Sequence, residues 1–306
     1  MDTLRALTAF ARSVELGSLS AAARAMGTTQ PTVSKLLAAL EQSLGARLLQ
    51  RGTTRLALTE EGQRFHLRAQ RLLEDYDEAL AELQTQTSTP RGLLRLSAPR
   101  ALGERRVNGW MLDFLARHPE IELELLLDDR FVDPLEGRID VSLRLGGPLP
   151  PQLVARDLGR WPRWLVAAPD YLRAHGRPRK PDELLRHQYL RYASGDDEGL
   201  SLRDQRDGRA IELPLRSRYR INSAVAMLDC VLQGAGLSLQ PSWMVAELVQ
   251  GGQLQRVLPH HCGPAQHAHL LYAPRRQQPL RVHMLIDLLT ERLSALPGRE
   301  CADNAP

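Results

Sequence analysis

The chain has 306 residues, 43% of them hydrophobic, with 40 basic against 36 acidic side chains and three cysteines. That length suits two globular units better than one core, and no apolar run approaches the roughly 20 residues that span a bilayer, which argues for a soluble protein. Cys230, Cys262 and Cys301 lack CxxC spacing, which argues against a disulfide framework and a thiolate zinc site.

The opening stretch MDTLRALTAFARSVELG carries acids and an amphipathic repeat, not the basic head and apolar middle of a secretory signal. The expected location is cytoplasmic. Only Lys35 and Lys180 are lysines, so the positive charge is almost all guanidinium. Such usage suits phosphates and guanine edges, but it also follows from GC-rich coding, so the distribution of charge says more than its total. Residues 1–60 hold seven basic and four acidic side chains, whereas residues 61–90 hold three basic and six acidic ones. A basic head precedes an acidic stalk, and only the head suits a polyanion.

Leu4, Leu7, Phe10, Ala11 and Val14 recur at helical steps and predict a first helix ending near Gly17. A second, short helix follows, with Ser18 or Ser20 as cap, Ala21, Ala22, Ala25 and Met26 as packing face and Gly27 as turn. A third begins at Thr28 or Thr29, accepts Pro31 in its first turn, and stops at Gly45. Its inward face is Val33, Leu36, Leu37, Leu40 and Leu44; Gln30, Pro31, Ser34, Lys35 and Ala38 point outward. Two short helices joined by a glycine turn, the second presenting small polar groups, form a helix-turn-helix. Gln30 suits adenine, Lys35 guanine, and Pro31 or Thr32 a thymine methyl. The expected DNA-facing set is Thr29, Gln30, Pro31, Thr32, Ser34 and Lys35, and no acid occurs between Glu15 and Glu41. LGARLLQRGTTRLALTEEG then reads as a hairpin, with Leu48 and Leu49 entering and Leu56 and Leu58 returning. As a wing it would lay Arg51 or Arg55 into the minor groove and bond phosphates through Thr53 and Thr54; taken alone it also reads as a solvated surface hairpin.

The landmarks GSLSAAA, Q-P-x-V-S, LE-x-x-LG and LTEEG resemble the N-terminal domain of LysR-type transcriptional regulators. Leu19 departs from the family's usual phenylalanine, a conservative core change. The resemblance implies a winged helix-turn-helix over residues 1–59.

Phe65, Ala69, Leu72, Tyr76, Ala79 and Leu83 alternate four- and three-residue steps, as along a coiled-coil seam. A helix from about 59 to 85 would reach about 40 Å, long enough to hold two heads at half-sites ~34 Å apart. The pattern also fits a single amphipathic helix packed on its own domain. The LysR resemblance, in which the linker helix pairs two subunits, favours Phe65, Ala69, Leu72, Tyr76 and Leu83 as dimerisation residues. Residues 60–89 are thus linker helix and hinge, the polar hinge stretch QTQTSTPRG running on to Pro90 and Gly92.

Beyond the hinge, LLRLSA reads as a strand, PRALGERRV as a loop, and WMLDFLARHPEIELELLLDD as helix and strand. RFVDPLEGRI has helical spacing and DVSLRLGG is again a strand, a succession that argues for parallel α/β crossovers. Ligands in such sheets bind beyond the carboxyl ends of strands, here Ser97–Arg100 and Arg144–Gly146. A second α/β unit starts past Trp161, and RYRINSAVAMLDCVLQGAGLSLQPSWMV repeats strand, helix, strand. Asn222 and Ser223 stand at a helix N-terminus, which favours an anion. The final strand and helix return to the first unit, giving lobe I at about 90–161 and 268–296 and lobe II at about 162–267.

LRLSAP, FLARHPEIELEL, LVAAPDYLRAHGRPRKPDEL and INSAVAMLDCVLQGAGLSLQPSWMV resemble the LysR effector-binding domain. That implies an α/β, two-lobed, periplasmic-binding-protein-like fold over residues 90–300, with a pocket lined by Ser97, Ala98, Pro99, Arg100, Arg144, Gly146, Asn222 and Ser223. It further implies small organic or aromatic acids as effectors. Each arginine taken singly is also explained as a solvated or ion-paired residue.

HHCGPAQHAH crowds His260, His261, Cys262, His267 and His269, a pattern open to a transition-metal reading. Gly263 and Pro264 suggest an irregular link, and His267 and His269 alternate as on a surface strand, so no metal is expected. Walker loop, GxSxG elbow and HExxH helix are all missing; neither catalysis nor a cofactor is expected. Cys230 fits an apolar helical pattern, and Cys301 a terminal tail. The expected protein is therefore a sequence-specific DNA-binding regulator of LysR type, controlled by a small-molecule effector. Its partners would be double-stranded DNA, itself as a homodimer or homotetramer, and RNA polymerase. Two alternatives stand beside it: a non-specific architectural DNA-binding protein, and a metabolite-binding enzyme with an appended DNA-binding head.

Overall fold

A computed structural model describes residues 2–50, 56–84, 89–130, 139–193, 199–274 and 278–299, with side chains 71, 74, 75, 77–79 and 81–84 left out. The chain divides into two compact units, Met1–Thr89 and Pro90–Pro306.

The first unit contains helices α1 (Thr3–Glu15), α2 (Leu19–Ala25), α3 (Gln30–Leu44) and α4 (Glu60–Gln84). Local chemistry sets their ends. The Asp2 carboxylate accepts from the Arg5 amide at 3.1 Å, Ser18 Oγ accepts from Ala21 at 3.3 Å, and Gly45 closes α3 at φ 64°. Phe10, Ala22, Val33, Leu37, Leu40, Leu48 and Ala69 form one core. Leu44, expected inside, is exposed, because the last turn of α3 runs past that core.

Leu49 and Leu58 form an antiparallel bridge, and the Gln50 amide donates to Ala57 O at 2.9 Å, so the base of a hairpin is present. Its tip, with Arg51, Thr53, Thr54 and Arg55, lies outside the described residues. The α4 seam is not uniform. Ala69 is 0% exposed inside this unit's own core, and the Phe65 ring sits 5.8 Å from that of Phe10. Leu72 and Tyr76 are 53% and 43% exposed. Phe65 and Ala69, expected on the dimer seam, thus cover α1 and serve their own domain; the side chain of Leu83 is outside the described residues.

In the second unit β1 (Gly92–Ala98) is followed by α5 (Arg100–Leu102), a π-helical turn Gly103–Val107 and α6 (Asn108–Arg117). PRALGERRV is therefore helical from Arg100 onward and not a loop. Gly103 conceals this in the sequence: a Cβ there would lie 2.1 Å from Leu127 Cδ2, so glycine lets the helix press against the sheet. Then come β2 (Ile121–Leu127), β3 (Val141–Leu145), β4 (Val154–Ala167) and α7 (Pro169–His175), a 3-10 helix Pro181–Arg186, β5 (Leu190–Tyr192), β6 (Leu200–Asp204) and β7 (Ala210–Leu213). The chain closes with β8 (Tyr219–Ile221), α8 (Ala224–Leu232), β9 (Leu237–Pro241), α9 (Ser242–Gln250), β10 (Gln255–Arg256), β11 (His261–Tyr272) and α10 (Leu280–Ser294). Most of RFVDPLEGRI, residues 131–138, lies outside the described residues.

The main sheet runs β10-β4-β11-β3-β1-β2, with β9 joined to β4 and the β6–β7 pair joined to β11. β2, β1 and β3 are parallel, as the alternation of strands and helices predicts, and so are β5 and β8 in a second small sheet. The long strands β4 and β11 are antiparallel and carry one sheet through both halves of the unit. One apolar core gathers Leu94, Leu96, Phe114, Val141 and Leu143 with Leu285 and Leu289 of the returning α10. The other gathers Leu165, Tyr171, Leu184, Leu202 and Leu237. Gly263 and Pro264, expected in an irregular link, lie within β11 at a register shift against β4. A Cβ on Gly263 would stand 2.6 Å from Leu239 Cδ1, so a larger residue there would have to push that leucine side chain aside.

Candidate nucleic-acid interface and effector cavity

The outer face of α3 carries Gln30, Pro31, Ser34, Lys35 and Ala38, all exposed, behind which Val33, Leu37 and Leu40 are buried. Its first-turn amides have no side-chain cap: Thr29, the N-cap residue, bonds Thr32 instead, Oγ1 to Oγ1 at 2.8 Å. A helix start with open N–H groups and short polar side chains can face phosphates and base edges. Two positioning residues escaped the sequence reading. Glu41 Oε1 accepts from the amides of Leu48 at 2.7 Å and Leu49 at 3.1 Å, tying α3 to the hairpin base. Thr59 Oγ1 donates to Arg47 O at 2.6 Å and accepts from Gly62 at 2.9 Å. Their signal lay in LE-x-x-LG and LTEEG, where an acid and a threonine stand at element ends.

The second unit encloses a cavity of about 350 Å³. Of the expected effector residues, Pro99 and Arg144 line it. Ser97 and Ala98 are buried in the sheet, and Ser97 Oγ has no hydrogen-bond partner among the described residues. The others flank the cavity, each engaged locally or turned outward. The Arg100 amide donates to Asp129 Oδ1 at 3.1 Å, while its side chain is exposed. The Gly146 amide donates to His267 O at 2.7 Å. Ser223 Oγ caps its own helix by accepting from Ala226 at 3.3 Å, and Asn222 is exposed.

Much of the wall comes from residues the sequence did not single out: Arg163, Tyr189, Arg191, Tyr192, Met227, Trp243 and Gln266. Trp243 Nε1 donates to Gln266 Oε1 at 3.3 Å, and Tyr192 Oη to Asp129 Oδ2 at 3.4 Å. Arg144 donates through Nη1 to Arg130 O at 2.7 Å and through Nη2 to Asp129 O at 3.4 Å. Burial lowers the pKa of Arg144, opposed by the charges of Asp129 and Asp128. Burial likewise lowers that of Arg163, opposed by Tyr189 and Tyr192. It pushes Tyr189 up to about 12 against the pull of Arg191 and Arg163, so its phenol stays protonated at neutral pH. Guanidinium groups beside a neutral phenol can bind an oxyanion through charge-assisted hydrogen bonds. The signal was present in WPRWL and YLRY, where arginine and aromatics are neighbours on strands.

The histidine-rich segment forms no such site. His261 Nε2 lies 3.6 Å from Asp204 Oδ2, and the rings of His267 and His269 stack at 6.4 Å. Among the described residues no group of three or more His, Cys, Asp or Glu could hold a metal ion, and no helix is long and apolar enough to cross a membrane.

The family model described as bacterial regulatory helix-turn-helix protein, lysR family, matches residues 4–63, and that of the LysR substrate binding domain matches residues 87–294. An HTH-type transcriptional regulator of Xanthomonas campestris pv. campestris (strain 8004) is 36% identical over 290 residues, spanning 93% of this chain and 84% of its own length. PtxR, an HTH-type transcriptional regulator of Pseudomonas aeruginosa, is 33% identical over 296 residues, 97% of this chain and 95% of its own. The full-length structure of the Vibrio cholerae virulence activator AphB, an LTTR protein, superposes with a TM-score of 0.59 at 29% identity, covering 94% of this chain and 98% of that one.

Proposed function

We propose how this chain works from the premise that it belongs to the LysR family of helix-turn-helix transcriptional regulators. It is a DNA-binding regulator with an effector-binding domain of periplasmic-binding-protein-like fold, not an enzyme. In our reading α3 enters the major groove with Gln30, Pro31, Ser34 and Lys35 toward the bases, while Thr29 and Thr32 stand at its phosphate-facing start. Arg51, Thr53, Thr54 and Arg55 extend the contact as a wing. Two copies pair through α4, using Leu72 and Tyr76, and a homotetramer is the larger assembly. The effector is a small organic acid held in the cavity beside Arg144 and Arg163, and the complex acts in the cytoplasm, where it meets RNA polymerase at the promoter.

The observation that carries this reading is the outer strip of α3, exposed and free of acids, on a helix whose opposite face buries Val33, Leu37 and Leu40. Footprinting of the full chain on the DNA upstream of its own coding region tests it. One protected site, at concentrations that leave neighbouring DNA bare, is the expected result. Equal salt-dependent affinity for any duplex would instead make the chain an architectural DNA-binding protein.

A further inference from the structure

Arg191 is only 8% exposed, yet it lines the cavity and has no hydrogen-bond or ion-pair partner among the described residues. Arg163, on β4, lines the same space and is likewise unpartnered among them. The two act on a common point, for both lie close enough to Tyr189 to oppose the rise in its pKa. Arg144 differs, because Asp129 and Asp128 offset its charge. Neither guanidinium has a counter-ion among the described residues, so an anion entering this cavity would meet two uncompensated positive charges.

The rest of the wall is mixed: Tyr192, Met227, Leu239 and Trp243 present apolar surface beside the polar Asp129, Arg144, Ser201 and Gln266. A cavity of about 350 Å³ lies at the small end of ligand sites, which run from about 300 to 1,000 Å³. We infer that the effector is a small, partly apolar molecule carrying a doubly negative head, a carboxylate pair or a phosphate monoester, gripped by Arg163, Arg191 and the Tyr189 hydroxyl. This rests on the proposed effector role of the cavity, and it moves the anion-binding pole from the helix start at Asn222 and Ser223 to the strands β4 and β5.

Four aromatic probes test it on the full chain at matched ionic strength: phthalate, phenyl phosphate, benzoate and benzamide. Phthalate or phenyl phosphate should raise the melting temperature, with benzoate binding roughly tenfold or more weakly, as loss of a charge partner demands, and benzamide inert. Phthalate acting alone identifies a carboxylate pair, phenyl phosphate acting alone a phosphate monoester, and either supports the doubly negative head. The shift should disappear in Arg163→Met and Arg191→Met and return in part in Arg191→Lys. Equal shifts from benzoate or benzamide, shifts that survive both methionine variants, or no shift from any probe would overturn the inference. The native chain's operator footprint is measured in parallel. Its absence would remove the regulator reading while leaving the anion site to the melting data.

Discussion

At the residue scale, the DNA-reading proposal rests on side chains that do nothing for folding. Gln30 and Lys35 are exposed on α3, so replacing either with alanine leaves the buried face of that helix intact. Gln30→Ala or Lys35→Ala should weaken operator binding by about 1–3 kcal/mol with unchanged thermal stability, since a bidentate base contact contributes that much discrimination. Titration of operator and scrambled duplexes checks this, and unchanged discrimination would remove both from base reading. These residues were legible in the sequence because an outward strip on an amphipathic helix is a local property. Arg163 and Arg191 were not, because in one dimension an unpaired arginine lining a cavity resembles any other arginine in a chain rich in them.

At the element scale, α4 shows what spacing leaves open. Heptad positions record that a stripe is buried, not what buries it. Phe65 and Ala69 face the core under α1, whereas Leu72 and Tyr76 stay open in the isolated chain. The two halves should respond differently to the same change. Leu72→Asp should lower the oligomeric state of the full chain in sedimentation by breaking the α4 pairing, while leaving the core under α1 intact. Ala69→Asp should lower the melting temperature, because it buries an unpaired carboxylate. A dimer unaffected by Leu72→Asp and Tyr76→Asp would rule out this pairing surface. The segment after β1 failed for a related reason. Gly103 and the adjoining arginines read as a loop, but that glycine sits against the side chain of Leu127, a residue well separated from it in the chain.

At the scale of the whole molecule, effector and operator occupy different units and can influence each other only if each binds two arrangements unequally. Such coupling is reciprocal. A probe that raises the melting temperature and changes operator affinity should have its own affinity changed by the same factor when operator duplex is present. Calorimetric titration with and without the duplex measures that factor. Probe affinity indifferent to the duplex, beside altered operator affinity, would mean that the probe acts elsewhere than on a shared equilibrium.

The amino-acid sequence alone determined the helix-turn-helix, the long α4, the parallel β1–β3 arrangement and the return of α10 to the first core. Each follows from hydrophobic period, caps and glycine stops acting over a few residues. Tertiary structure decided which half of α4 is spoken for, how antiparallel β4 and β11 merge two halves into one sheet, and where the cavity's charges converge. Those depend on which distant segments are brought together: Arg163 of β4 and Arg191 of β5, in different sheets, line one cavity only after the chain has folded.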